Sequence, residues 1–381
     1  MDDDSIEFLR DLLKLDSTNP PGDESQVAQK LVERAHGFGL EASVQQLGQK
    51  RVNVVVKLAG KKDRKPFLFC GHMDTVGIGG VKWEYGPFSG EIANGKMYGR
   101  GASDMKSGLA AMLEAMGEIK NKRDDAPRGD IYLIATAGEE VDCLGAVAAT
   151  KGDILDHAGA MIIGEPTNQE VVITHKGALW LKITTYGKTS HASMPDLGVN
   201  AILKMDQIVD TLKNGLFADA QSNPLLGKPT INIGTIKGGV QTNVVPDQCE
   251  MTIDIRTLPG TSHDQLVHKI KHKLDQLDVK YKLEILHNLA PLNTPPHHWL
   301  VEEAVKLDSK ITESIKKAGG INFYTDGSIF GQKYDFPIII YGPGKRELAH
   351  QPNEYIKLDS YLQSIRYYTE LAQCYFNHKS R

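Results

Sequence analysis

Apolar residues recur along this chain at two different periods, and the alternation between the periods outlines the architecture. Ile6, Leu9, Leu12 and Leu13 fall at helical spacing over residues 5–15. Val27, Leu31 and Val32 repeat the pattern from Ser25 until Gly37 and Gly39 stop it. Compact apolar runs, Val54-Val55-Val56 and Phe67-Leu68-Phe69-Cys70, read as buried strands. A third helix is expected from Lys106 to Lys120, with Leu109, Met112, Leu113, Met116 and Ile119 on one face. Strands are expected again at 131–136 and 161–163. Helices alternating with uniformly apolar strands imply an α/β fold with a mostly parallel sheet.

The middle of the chain reads differently. A strand at 179–186, a helix at 199–212, strands at 230–236 and 251–256, a helix at 266–277 and a strand at 281–286 give the order β-α-β-β-α-β. That is the ferredoxin-like unit, an α+β arrangement. The first pattern resumes after Pro291, Pro295 and Pro296 with a helix at 299–317, a strand at 338–341 and a closing helix at 356–376. The expected organisation is a discontinuous domain, 1–176 with 291–381, interrupted by a second domain at 177–290.

Polar residues of one kind collect just past the apolar runs. His72 and Asp74 follow 67–70, Glu139 and Glu140 follow 131–136, Glu165 follows 161–163, and His350 follows 338–341. Asp104 stands in a glycine-rich turn before the third helix. Functional groups in open α/β sheets gather at the carboxyl ends of strands. Carboxylates crowded there repel one another unless cations neutralise them. Two metals are the economical reading. His72 and Asp74, two apart, share a strand face, so the carboxylate is placed to accept the second imidazole N–H. Asp104 has two oxygens with which to bridge two cations, and as an alternative it stands where it would cap the helix that follows. The adjacent Glu139 and Glu140 point different ways, so one can bind metal while the other takes a proton from water. Imidazole with carboxylate suits zinc, with cobalt or manganese able to substitute.

Composition narrows the function classes. The 381 residues are 40% hydrophobic and 24% charged, with a net charge of -4 and no basic block. Nothing favours nucleic acid or a membrane as partner. The acidic start, Met1-Asp2-Asp3-Asp4, differs from the basic and apolar pattern of a signal peptide. Cys70, Cys143, Cys249 and Cys374 are scattered, and a reducing cytoplasm is the expected compartment.

Gly71-His72-Met73-Asp74-Thr75-Val76, Tyr98-Gly99-Arg100-Gly101-Ala102-Ser103-Asp104-Met105-Lys106, Ala137-Gly138-Glu139-Glu140 and Gly164-Glu165-Pro166-Thr167 together resemble the M20 metallopeptidase family. Asn243-Val244-Val245-Pro246, Asp254-Ile255-Arg256, and Gly342-Pro343-Gly344 through Ala349-His350-Gln351-Pro352-Asn353-Glu354 extend the match across nearly the whole chain. The closest likeness is to the acetylornithine deacetylase / succinyl-diaminopimelate desuccinylase branch. The resemblance implies one zinc on His72, Asp104 and Glu165 and another on Asp104, Glu140 and His350. It makes Glu139 the general base and Asp74 the support of His72. The inserted domain becomes a lid through which the chain forms a homodimer, and His191 reaches a neighbouring subunit's site to polarise the scissile carbonyl. Asn243 and Arg256 match substrate-contacting positions, and Arg256 offers a carboxylate a bidentate fork.

The resemblance therefore implies a two-zinc amidohydrolase acting on an N-acyl amino acid or short peptide. The favoured reading is N-succinyl-LL-diaminopimelate desuccinylase, in lysine and diaminopimelate biosynthesis, with Thr325 near the acyl pocket. Gly319-Gly320 and Tyr324-Thr325-Asp326-Gly327 match the desuccinylase run Gly-Gly-Thr-Ser-Asp-Gly only in part, so acetylornithine deacetylase and a dipeptidase remain alternatives. A catalytically dead metal-binding scaffold is the non-enzyme alternative, and an intact Glu139 argues against it.

Overall fold

A computed structural model describes residues 2–122 and 126–378. Its backbone separates into two compact units. One comprises Met1–Ile173, Asn293–Gly319 and Thr325–Arg381; the other comprises Thr174–Leu292 and Gly320–Tyr324.

The first unit is built on a mixed sheet. Its strands run in the order Glu41–Gln46, Val52–Leu58, Ile131–Thr136, Phe67–His72, Ala160–Ile163, Ile338–Ile340 and Val172–His175. The central pairings, 67–72 with 131–136, 67–72 with 160–163 and 160–163 with 338–340, are parallel, and the outer ones are antiparallel. The central strands are buried on both faces, which explains their continuous apolar runs. The strand Glu41–Gln46 is almost wholly exposed, with no alternating pattern to reveal it, and it was not expected.

Helix Lys106–Asn121 is buried nearly all round and packs on strand Phe67–His72 and on helix Leu358–Asn377. Gly108 lets it come that close, since a Cβ there would stand 2.0 Å from the Gly164 carbonyl oxygen. This contact sets the start of the helix, after Asp104, against the end of the strand that leads to Glu165. The helix expected over 299–317 stops earlier, at Trp299–Ile311. Glu313 adopts a left-handed φ of 51° and Ile315 is 97% exposed, so the last apolar position had no core to bury it.

The second unit is a four-stranded antiparallel sheet in the order Thr230–Gly238, Gln248–Thr257, Gly177–Tyr186 and Lys280–Leu289. Helices Ala201–Gly215 and His263–Leu274 connect the strands, as the ferredoxin-like order requires. Leu179, Leu181, Ile183, Met251, Ile253 and Ile255 alternate inward to meet Met205, Ile208, Ile270 and Leu274 from the helices.

Candidate active site

The parallel register brings the candidate ligands to one edge of the first unit's sheet. His72 is level with Thr136, and Cys70 is level with Ile163, so the chain leaves three neighbouring strands at similar heights. His72 ends its strand, Glu139 and Glu140 follow the second through a turn at Gly138, and Glu165 follows the third. Only glycine suits that turn. Gly138 has φ +80°, and a Cβ would fall 2.6 Å from the Arg51 guanidinium.

The side chains meet closely. His72 Nε2 lies 3.3 Å from Asp104 Oδ1, 3.7 Å from Glu165 Oε1 and 4.0 Å from Glu139 Oε2. His350 Nε2 lies 3.0 Å from Glu140 Oε2 and 3.5 Å from Asp104 Oδ2. Asp104 thus faces one histidine with each oxygen. Ligand atoms within 4.8 Å of one another also group His72 with Asp104 and Glu140, and with Glu139 and Glu165. Both members of the glutamate pair are therefore within reach of His72, and it is His350 that singles out Glu140.

The electrostatics of this cluster are those of an acidic cavity awaiting positive charge. Burial, then the charge of Glu165, pushes Glu139 well above the usual carboxylate range. Burial does the same to Glu165, with Asp104 and Glu140 adding to it against His72. Burial and Asp104 raise Glu140, while the His350 hydrogen bond opposes them. Burial acts to lower His72, yet Glu165, Asp104, Glu139 and Asp74 outweigh it and hold the imidazole well above its ordinary value. Glu140 Oε1 is buried without a hydrogen-bond partner. Two buried and two partly buried carboxylates, two imidazoles and an orphaned oxygen fit a pair of divalent cations of the zinc type.

Asp74 does something other than expected. The proton of His72 Nδ1 goes to the Asp74 main-chain carbonyl, 2.8 Å away, while carboxylate Oδ1 is 3.6 Å from that nitrogen. The carboxylate instead accepts backbone N–H bonds from Gly138, Glu139 and Glu140 at 3.0, 3.2 and 3.3 Å, and one from Asn19 Nδ2 at 2.8 Å. The imidazole is still fixed as one tautomer with Nε2 facing the cluster, but a carbonyl fixes it.

Sequence reasoning passed over three buried residues that shape the site. Glu354, four residues past His350, accepts backbone N–H bonds from Ser103 and Asp104 at 2.7 and 2.9 Å and pairs with Arg100 at 2.5 Å. It ties the His350 segment to the Asp104 turn. Lys106 Nζ donates to the Leu12 and Leu15 carbonyls at 3.1 and 2.7 Å, and burial drags its pKa down to about 7. Asp326 accepts the Thr136 hydroxyl at 2.6 Å, and burial lifts it to about 6. The signal available for Lys106 was a charged residue at the start of an otherwise apolar helix, and for Glu354 and Asp326 only their place in the quoted motifs.

Thr325, expected near the acyl pocket, has no exposed surface to offer an acyl group. It is fully buried, and its hydroxyl accepts the Gly327 N–H at 3.0 Å, so it is committed to starting the helix Gly327–Lys333. In the second unit, His191 and Asn243 are exposed and adjacent: Ala192 N–H donates to the Asn243 carbonyl at 3.1 Å, and His191 bridges Val244. Arg256 pairs with Asp254 at 2.9 Å and lies over the Tyr324 ring at 5.6 Å.

Comparison with known proteins bears on this cluster directly. The model of peptidase family M20/M25/M40 matches residues 68–373. The chain is 29% identical to a probable succinyl-diaminopimelate desuccinylase of Staphylococcus aureus, over 99% of this chain and 98% of that protein. It is 32% identical to an acetylornithine deacetylase of Aliivibrio fischeri, over 90% of each. Its fold is similar to that of an M20 family metallo-carboxypeptidase from Sulfolobus solfataricus, with a TM-score of 0.84, 20% identity, and coverage of 98% of this chain and 99% of that one.

Proposed function

This chain belongs to peptidase family M20/M25/M40 and is a metal-dependent hydrolase of C–N amide bonds, and from that premise we propose that it removes a succinyl group from N-succinyl-LL-diaminopimelate. One observation carries the substrate choice. Arg256 lies close enough to the largely buried Lys176 that, after burial itself, its charge lowers the lysine's pKa. Cationic groups there suit N-succinyl-LL-diaminopimelate, which carries three carboxylates against one ammonium, better than acetylornithine, which carries one of each. The deacetylase reading keeps support from the 32% identical relative.

His72, Asp104 and Glu165 would hold one cation, and Asp104, Glu140 and His350 the other. Zinc suits these donors, and cobalt or manganese would substitute. When bound, such a pair lowers the pKa of water and polarises the amide carbonyl. Glu139 takes the proton of the attacking water and returns it to the leaving amine nitrogen. Asp74 holds the turn that carries Glu139. Arg256 orients the substrate through a carboxylate, and Asn243 contacts it from the same exposed ridge as His191.

His191 donates to the developing oxyanion of a neighbouring subunit's substrate. Arg256 sits eight residues along its strand from Gln248, about 26 Å of strand, and Gln248 follows the 239–247 segment that holds Asn243 and bridges His191 at Val244. One second unit does not present both ends to a single small substrate. A homodimer supplies the other end. The strand Thr230–Gly238 is an open sheet edge with Ile233 and Ile236 exposed, and Val240 beside it is 82% exposed. Among the described residues no helix is long and apolar enough to cross a membrane. A reducing cytoplasm is the compartment proposed for a chain whose four cysteines are free thiols.

The test is a side-by-side turnover assay of the zinc-loaded protein on succinyl-diaminopimelate, acetylornithine and a few dipeptides. A site built for the extra carboxylates rejects the acetyl analogue by a factor on the order of 10⁴. Faster turnover of acetylornithine or a dipeptide would end the desuccinylase reading and leave the hydrolase class standing.

A further inference from the structure

A carboxylate with two oxygens accepts about four hydrogen bonds, and Asp74 uses that capacity on neutral donors. Oδ1 takes the N–H groups of Gly138 and Glu139, and Oδ2 takes that of Glu140 and the amide of Asn19. Three consecutive backbone N–H groups converging on one anion fix the turn from which Glu139 and Glu140 diverge. The bond from Asn19 is the shortest of the four, at 2.8 Å.

Asn19 is itself firmly placed. Its backbone N–H donates to the Thr75 carbonyl at 2.8 Å, and Thr75 N–H donates to the Ser17 carbonyl at 3.1 Å. The Ser17 hydroxyl reaches the Met73 carbonyl at 2.8 Å, and Thr18 forms a parallel bridge with Thr75. Residues 17–19 therefore run alongside 73–75, and the Asn19 side chain is buried among them.

We propose that Asn19 is a positioning residue for the hydrolytic reaction: it holds the Asp74 carboxylate in the rotation that receives the 138–140 turn, and thereby aims Glu139 at the water. Rotation about the last torsion of aspartate is soft. Without the Asn19 donor, Oδ2 keeps only the 3.3 Å bond from Glu140, and the His72 Nδ1 proton, 3.6 Å from Oδ1, competes for the carboxylate. A turned carboxylate strips the 138–140 turn of its acceptors and leaves Glu139 misdirected. The requirement is for a donor of this length, so asparagine satisfies it and the isosteric aspartate does not. The inference rests on the reading of Glu139 as the base.

The test is steady-state kinetics of the zinc-loaded protein on its fastest substrate from the side-by-side assay, for Asn19→Ala, Asn19→Asp, Glu139→Gln and the double variant Asn19→Ala with Glu139→Gln. Asn19→Ala should lower kcat about ten-fold with KM within about two-fold, at unchanged zinc content. Asn19→Asp, which keeps the shape and reverses the polarity, should lose at least as much. In the double variant the cost of Asn19→Ala should vanish, because the group it aims is gone. Wild-type kcat in Asn19→Asp, or a double variant about ten-fold slower than Glu139→Gln, overturns the proposal. If Asn19→Ala does not fold, the Asn19→Asp comparison decides alone. A fully active Glu139→Gln sinks the base assignment instead, a separate failure that the Asn19 single variants do not share.

Discussion

The two units carry their candidate functional residues in opposite physical states. In the first, His72, Asp104, Glu139, Glu140 and Glu165 are packed within a few ångströms of one another, and their ordinary pKa values are displaced by burial and by mutual charge. In the second, His191 and Asn243 lie on the surface, and Arg256 is paired with Asp254 in half-exposed surroundings. Strongly perturbed groups clustered in one place are the mark of a site prepared for charge. Exposed groups with ordinary partners carry no such mark. The difference teaches that the first unit's candidate site is recognisable from its own electrostatics, while nothing in the electrostatics of His191, Asn243 and Arg256 marks the roles proposed for them.

The largest test of that contrast is at the glutamate pair. Glu139→Gln should cut kcat by roughly 10³-fold while both metals stay bound, since it removes a base and no ligand. Glu140→Ala should instead lose one metal, read by elemental analysis. If the two variants exchange these behaviours, the geometry around His350 has been misassigned.

A mixing experiment addresses the second unit. His191→Ala and Glu139→Ala chains should each be slow alone, His191→Ala by on the order of 10²-fold. After subunit exchange, half of a random mixture would be mixed dimers with one complete site, recovering about a quarter of wild-type activity. No recovery despite demonstrated exchange would place His191 in its own chain's chemistry or in none.

The smallest effect is on stability. His175, at the end of the strand Val172–His175, is fully buried, and burial lowers its pKa to about 4 from an ordinary 6.5. Between those values the unfolded chain binds a proton that the folded chain refuses, so stability is intact above about pH 6.5 and falls as pH drops toward 4. The loss across that window is at most roughly 3 kcal/mol. His175→Phe should flatten the pH dependence of the denaturant midpoint relative to wild type. Equal slopes in the two proteins would show that burial of this imidazole is not the cause.

Periodicity was enough to outline both layers of the fold, because central parallel strands and amphipathic helices write their burial into the sequence. It failed at Glu41–Gln46, whose exposed and mostly polar residues show no alternation, and at residues 312–317, where Ile315 continued the helical spacing into solvent. The ligand candidates were legible because all but Asp104, which stands in a glycine-rich turn, followed an apolar strand. Asp74 was legible as important but not in its role, since a two-residue spacing cannot distinguish a carboxylate facing imidazole from one facing the 138–140 turn. Thr325 looked available because nothing local shows that Gly327 needs its hydroxyl. Asn19 gave no signal and Glu354 none beyond its place in a family motif, because their partners lie 55 and 250 residues away.

What the sequence determined by itself is therefore what neighbours along the chain dictate: element type, strand burial, and which charged residues leave the strand ends. What only the tertiary structure decided is where each hydrogen bond goes. Buried polar atoms must find partners wherever the fold offers them, and the turn at Gly138 offered Asp74 three N–H groups that no stretch of sequence around it contains.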